Sequence, residues 1–349
     1  MNVNIFQARK PTKICKQLYG DNYMAYAQTQ FEKFHTEILL GFDESTTLRE
    51  RRDALLNDIK NCISSDAPAY KHFMQGSYAL STGVTPLNGN PDMDIGLSFD
   101  CSPDDYEDPL TLKKFVRDAL TRNNRTVTIR RPCVTVTYFK DGEATHHIDL
   151  AVYSSNSDGQ TQLARGRESD PKAERVWDAS EAEELTELIV DRFEGDDRNQ
   201  FRRVVRALKR WRDEKIGHKN VPSIGITVSA YQWFSPSYDS VEGKPRDLIA
   251  IRNLANQMLA NWNSSRLEVK LPVASYADLF ERMTQIQMDD FKSKLETLRD
   301  ALNEAEAQPD THEACKILKK QFGNDFPVPE KADSTKKTSA GVSISGRSA

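Results

Sequence analysis

Gly76-Ser77-Tyr78 and, fifteen residues beyond that serine, Asp92-Met93-Asp94-Ile95-Gly96-Leu97-Ser98-Phe99 decide how this chain is read. Residues two apart on a strand point the same way, so Asp92 and Asp94 project together while Met93, Ile95, Leu97 and Phe99 face a core. Two carboxylates on one face suit Mg²⁺, which takes oxygen ligands. A second apolar strand, His147-Ile148-Asp149-Leu150-Ala151-Val152, buries Ile148, Leu150 and Val152 and turns Asp149 toward the first pair. The glycine-serine turn adds backbone N–H groups and a hydroxyl that can hold phosphate oxygens.

An isolated Asp-x-Asp is commonly a solvated strand edge. Here it stands in a constellation, and the surrounding sequence supplies the elements that bring the three acids together. Val134-Thr135-Val136-Thr137-Tyr138-Phe139 runs into Lys140-Asp141-Gly142-Glu143, a turn signal that returns the chain into the Asp149 strand. Helices are expected over 110–122, 201–214, 223–234, 248–262, 276–307 and 312–322, punctuated by Pro222, Pro236, Pro272 and Pro309. Upstream, Tyr23, Tyr26, Ala27, Phe31, Phe34, Ile38 and Leu39 mark an apolar stripe at helical spacing, and Thr46 or Thr47 is positioned to cap a second helix reaching Cys62. This pair reads as a helical brace against both lobes. Residues 154–180 are polar and read as a mobile crossover with short helical pieces, in which Arg165 and Arg167 are either solvated or contacts to a nucleotide's phosphate or base. The organisation expected is a core over 1–180, a helical lobe over 181–330 and a disordered tail over 331–349.

Composition narrows the classes. The 349 residues allow two lobes with proper cores, and the net charge of −4 with 29% charged residues argues against binding long nucleic acid by bulk electrostatics. Arg202, Arg203, Arg206, Lys209, Arg210 and Arg212 cluster on one expected helix, where a solvated basic face accounts for most of them though not necessarily Lys209. Five scattered cysteines (Cys15, Cys62, Cys101, Cys133, Cys315), without CxxC spacing, disfavour disulfides and a cysteine zinc site. No apolar run is long enough to span a bilayer and Met1–Lys10 lacks a signal-peptide core, so a cytoplasmic protein with no membrane partner is expected.

Gly-Ser, a spacer, Asp-x-Asp and a later lone Asp in an apolar strand form the pattern of the polymerase-β-like nucleotidyltransferases. Phe73-Met74-Gln75-Gly76-Ser77-Tyr78, Asp92-Met93-Asp94-Ile95, His146-His147-Ile148-Asp149-Leu150, and Leu208-Lys209-Arg210-Trp211-Arg212-Asp213 with Pro222-Ser223-Ile224 downstream narrow it further. From about residue 70 onward the chain resembles the CD-NTases, bacterial relatives of metazoan cyclic GMP-AMP synthase and of the oligoadenylate synthases. Within them it is most similar to the bacterial dinucleotide cyclases that make cyclic GMP-AMP.

The resemblance implies an α/β (α+β) bilobal fold, with a mixed sheet bearing the acids, a helical second lobe and a cleft between. It implies that Asp92, Asp94 and Asp149 are catalytic and bind Mg²⁺, with Mn²⁺ as an alternative. Gly76, Ser77, Lys209 and Ser223 would hold the donor triphosphate, and Gln75 would lie near a base. The implied substrates are ATP and GTP, condensed to a cyclic dinucleotide that activates a separate effector in anti-phage defence. A ubiquitin-transfer-like partner acting on the C-terminal tail is also implied. A template-independent transferase using RNA or a small acceptor, and an inactive nucleotide-binding protein, remain alternatives. His146 and His147 are expected to be structural or to support the acids, since Mg²⁺ favours oxygen.

Overall fold

The structure, a computed structural model, describes residues 27–40, 42–87, 91–156, 160–273 and 278–331. All of the expected tail except Lys331, together with Cys15, Tyr23 and Tyr26, lies outside them. In chain order the first helices and strands are α1 (Gln28–Ile38), α2 (Phe42–Cys62), β1 (Tyr70–Gln75), the single turn α3 (Gly76–Ala79), β2 (Asp92–Asp100) and α4 (Leu110–Leu120). The strands β3 (Arg125–Ile129), β4 (Val134–Lys140), β5 (Glu143–Ser155), β6 (Thr161–Arg165) and β7 (Val176–Ala179) follow. Then come α5 (Ala182–Asp191), α6 (Gly195–Lys215), α7 (Ser223–Trp233) and α8 (Asp247–Ala260). A small ribbon of β8 (Trp262–Asn263) and β9 (Arg266–Leu267) precedes α9 (Gln285–Ala307) and α10 (Thr311–Phe322).

The main sheet is mixed, as the resemblance implies. Its path runs β1-β2-β5-β4-β3, with β6 and β7 continuing from the end of β5. β2 and β5 pair in parallel, and the other pairs in this sheet are antiparallel. One face is apolar: Met93, Ile95, Leu97 and Phe99 of β2 and Ile148, Leu150 and Val152 of β5 are fully buried. They pack against Leu48, Leu55 and Ile59 of α2 and Leu112, Val116 and Leu120 of α4. Each such side chain contributes roughly 1.5–3 kcal/mol by leaving water. β5 is reached from β4 through Asp141 and Gly142, both with positive φ (54° and 83°), the backbone of a two-residue hairpin turn.

A second core is built from helices. α6 carries Asp196 and Asp197 in its first turn and Arg212 and Lys215 in its last, charges that complement the helix dipole. It buries Phe201, Val204, Val205, Leu208 and Trp211 at helical spacing. Phe31 and Phe34 of α1 join this core against Phe322 and Phe326, at ring-centroid separations of 5.0–5.8 Å. The two brace helices thus serve different cores, α1 the helical one and α2 the sheet.

Three expectations are corrected. α2 begins at Phe42, ahead of the Thr46/Thr47 cap anticipated for it. α9 begins at Gln285, because Thr284 and Gln287 form a reciprocal capping box that fixes the start nine residues beyond Tyr276. Residues 161–179 form the β6–β7 hairpin, and of the short helical pieces expected there only a single 3-10 turn, Lys172–Glu174, lies in its loop. There Arg165 pairs with Asp178, and the Arg167 Nε donates to Asp170 Oδ1 at 2.7 Å, so both arginines are engaged by acids and neither lines the cleft described below.

Candidate active site

The parallel pairing of β2 with β5 places Asp94 directly opposite Asp149, and Asp92 opposite His147. Two neighbouring registers extend the first of these into a row: Gln75 of β1 faces Asp94, and Thr135 of β4 faces Asp149. Gln75, Asp94, Asp149 and Thr135 therefore cross four strands side by side on the polar face of the sheet. Because the strand period is two, the same geometry that buries Ile95 and Leu150 forces both acids outward.

Gly76 begins the turn beside this row at φ +68°, a conformation that favours glycine. A Cβ there would stand 2.1 Å from Asp94 Oδ2, so the carboxylate occupies the space that a side chain would need. On the same sheet face Phe73 lies over Gly96, where a Cβ would come within 2.2 Å of the ring, and packs tilted against Tyr153 at a centroid distance of 5.6 Å. The Tyr153 hydroxyl donates to Gln75 Oε1 at 2.8 Å.

A cavity of about 770 Å³ opens in front of the acids, within the size range of small-molecule sites. Gly76, Ser77, Thr82, Asp92 and Asp94 form one wall, and Lys209, Arg212, Asp213, Ser223, Ile224 and Thr227 form the other. Asp149 lies one strand behind Asp94, and neither it nor Gln75 forms part of the wall. Among the described residues the cleft therefore brings together Gly76, Ser77, Asp92, Asp94, Lys209 and Ser223 of the sequence-predicted set, with Asp149 adjoining.

The electrostatics set crowded acids on one wall against a buried lysine on the other. Burial, then the Asp92 and Asp149 charges, push the Asp94 carboxyl up to about 7. Asp92 opens to the cleft, yet the surrounding walls displace enough water to raise it too, with Asp149 adding to the effect. Across the cavity, burial and the Arg212 charge bring the Lys209 ammonium down to about 7. Its Nζ donates to Thr82 Oγ1 at 3.1 Å and to the Thr82 carbonyl at 3.2 Å. Strong opposed shifts gathered in one cleft are a mark of functional sites. Among the described residues no three His, Cys, Asp or Glu side chains form a ready metal cage. The donor set is nonetheless all oxygen, and Mg²⁺ commonly uses one or two carboxylates with water and phosphate oxygens completing its shell.

The basic face of α6 is not solvated as expected. Lys209, Arg210 and Arg212 are buried. Arg206 Nη1 donates to the Ser81 carbonyl at 2.7 Å and Arg210 Nη2 to that of Thr85 at 2.8 Å, so with Lys209 this face grips the segment after the glycine-serine turn. Arg212 Nη1 donates to Ser223 Oγ at 2.5 Å, orienting that hydroxyl.

Sequence reasoning missed Thr82, Thr135, Thr137 and Tyr153. Thr135 Oγ1 donates to Asp149 Oδ1 at 2.6 Å, and Thr137 Oγ1 lies 3.1 Å from His147 Nδ1. The alternation of Thr135 and Thr137 with buried valines on β4 was the available signal.

Comparison with known proteins fits this geometry. Residues 70–153, which hold the sheet strands with the acids, match the family described as "Cyclic GMP-AMP synthase DncV-like, nucleotidyltransferase domain". The fold resembles the Vibrio cholerae DncV cyclic AMP-GMP synthase, a prokaryotic cGAS homolog, with a TM-score of 0.68 at 16% identity over 87% of this chain and 98% of that one. A second DncV structure, in complex with the linear intermediate 5′ pppA(3′,5′)pG, matches at 0.68 and 18% identity over the same shares. The Bradyrhizobium diazoefficiens CD-NTase CdnG in complex with GTP matches at 0.67 and 15% identity over 85% of this chain and 95% of that one. Among the described residues no helix is long and apolar enough to cross a membrane.

Proposed function

We propose, from the DncV-like nucleotidyltransferase domain matched at residues 70–153 and the likeness of the fold to DncV and CdnG, that this chain is a CD-NTase that joins two nucleoside triphosphates into a cyclic dinucleotide. The observation that carries the reading is Asp94 in register with Asp149, with Asp92 beside them, before a cavity whose far wall holds Lys209. ATP and GTP are the proposed substrates and cyclic GMP-AMP the proposed product. The product is a second messenger acting on an effector in bacterial defence.

Asp92 and Asp94 are the residues to hold Mg²⁺ or Mn²⁺ together with the donor's phosphates, and Asp149 is to hold it at the acceptor hydroxyl. Bound there, the metal supplies charge neutralisation on the triphosphate and a lowered pKa for the attacking hydroxyl. The chain's own part is positioning. Ser77 and the Gly76 backbone fix the phosphates from the sheet side, and Lys209 and Ser223 reach them from the helices. Gln75, held by Tyr153 in register with Asp94 and outside the cavity wall, backs the acids and is not assigned a base contact. Nucleotidyl transfer asks little covalent chemistry of a protein, and orientation with charge stabilisation provides most of the rate. The division of labour assigned is a catalytic half built by α2 and the sheet to about residue 180, and a helical half over 181–330, joined by α1, closing the cleft.

The test is incubation of the purified protein with all four NTPs and Mg²⁺ or Mn²⁺, followed by mass spectrometry. A cyclic dinucleotide with released pyrophosphate is expected; its absence from every mixture overturns the reading.

A further inference from the structure

Asp149 depends on its neighbour in β4. We infer that Thr135 is a positioning residue for the site, its hydroxyl fixing the Asp149 carboxylate in the orientation that divalent-metal binding requires. This rests on the function proposed above and assigns it a residue outside the acidic set. Thr135 is buried, and its Oγ1 donates to Asp149 Oδ1 at 2.6 Å, a charge-assisted length. A hydroxyl has one proton, and an ionised carboxylate only accepts, so the direction of this bond is determined. One oxygen of Asp149 is thereby engaged, and rotation of the carboxylate breaks that bond.

The pairing is built by a register change. From the turn outward, Lys140 faces Glu143 and Phe139 faces Ala144, but Tyr138 faces His146. Thr145 is the extra residue. Without this bulge the hairpin would continue with Thr135 opposite Ile148 and Val134 opposite Asp149, and a one-residue slip exchanges the faces of a strand. With it, Val134 and Val136 stay in the core while Thr135 and Thr137 meet Asp149 and His147. Bulges are concentrated beside functional sites, where they re-aim side chains. Behind Thr135 the Cys133 sulfur lies 3.5 Å from its hydroxyl, which backs the threonine rotamer.

Groups that orient metal-binding carboxylates typically change affinity or activity by about 10–100-fold when removed. The experiment compares wild type, Thr135→Val, Thr135→Ser and, as a strand control, Thr128→Val, an exposed residue opposite Thr135 on β3. Mn²⁺ binding is titrated calorimetrically on the nucleotide-free protein, and pyrophosphate release is followed with thermal melting as the check on folding. Thr135→Val is expected to weaken Mn²⁺ binding and lower kcat by about tenfold or more, with KM for NTP little changed. Serine is expected to restore both, and Thr128→Val to match wild type. A folded Thr135→Val with wild-type Mn²⁺ affinity and kcat overturns the proposal; if valine does not fold, Thr135→Ala carries the same comparison. Wild type that binds Mn²⁺ but releases no pyrophosphate overturns the enzymatic reading alone, the binding arm still deciding Thr135. Wild type that neither binds Mn²⁺ nor releases pyrophosphate overturns both, and one that releases pyrophosphate without binding Mn²⁺ free of nucleotide leaves kcat to decide Thr135.

Discussion

Two carboxylates withdrawn from bulk water, Asp94 in the sheet half and Asp247 in the helical half, have opposite fates. Asp247 is fully buried, and burial alone would raise its pKa. His35 and Arg203 more than offset that, holding it well below the usual carboxylate range. Arg203 makes a two-pronged contact at 2.6 and 3.0 Å, Gln200 adds a bond at 3.1 Å, and the Asp247 backbone N–H donates to Gln28 at 2.9 Å. Asp94 has other acids for neighbours and is pushed up to about 7. A buried acid surrounded by donors is a finished structural joint, whereas one surrounded by acids is stabilised when a cation arrives.

The sharpest break of this comparison is by alanine. Asp92→Ala, Asp94→Ala and Asp149→Ala are each expected to reduce product formation at least about a hundredfold, on the several kcal/mol that metal-assisted charge stabilisation supplies. Melting temperatures should hold or rise as repulsion is relieved. Any one variant keeping more than about a tenth of wild-type turnover removes that residue from the assignment. Asp247→Ala should do the reverse, costing about 3–5 kcal/mol of stability by stranding Arg203, with turnover of the remaining folded protein nearly intact; denaturant melts and cold activity assays separate the two.

pH sharpens the contrast. The folded pKa of Asp247 is depressed, so its contribution to stability is present above its unfolded value of about 3.9 and is lost as the pH falls below that. Asp94 binds its proton more tightly folded than unfolded, so the metal-free protein should lose stability as pH rises from about 4 to about 7. Melting curves across this range should show a descending limb that vanishes in the double variant Asp92→Asn/Asp94→Asn; a limb that survives places its origin elsewhere. The smallest expected effects lie on the opposite wall. Lys209→Ala should raise KM for NTP by about tenfold and Ser223→Ala by no more than about threefold, since a charged contact to phosphate exceeds a neutral one. Steady-state kinetics decide it, and an unchanged KM for Lys209→Ala breaks the phosphate assignment.

Much of the sheet half was legible because its signals are local. Alternation marked β2 and β5, Asp141-Gly142 marked the hairpin, and glycine before serine marked the turn. Partners were harder to see. The bulge at Thr145 changes which residue faces Asp149, and nothing in a period-two pattern announces an inserted residue. The β6–β7 hairpin was hidden because Arg165, Asp178, Arg167 and Asp170 look like loop polarity until they are paired with one another. On α6, charge concealed burial: a lysine or arginine donating to backbone carbonyls reads in sequence like one exposed to solvent.

That grip has a consequence for dissecting the molecule. Arg206, Lys209 and Arg210 reach across more than a hundred residues of chain to the carbonyls of Ser81, Thr82 and Thr85, like three stitches closing a seam. Cutting the chain near residue 180 would unpick all three at once, baring carbonyls that folding had satisfied and the apolar face of α1 that rests on the helices. The sheet that carries Asp92, Asp94 and Asp149 is therefore not a portable cassette, and transplanting it into another protein requires carrying α6 along.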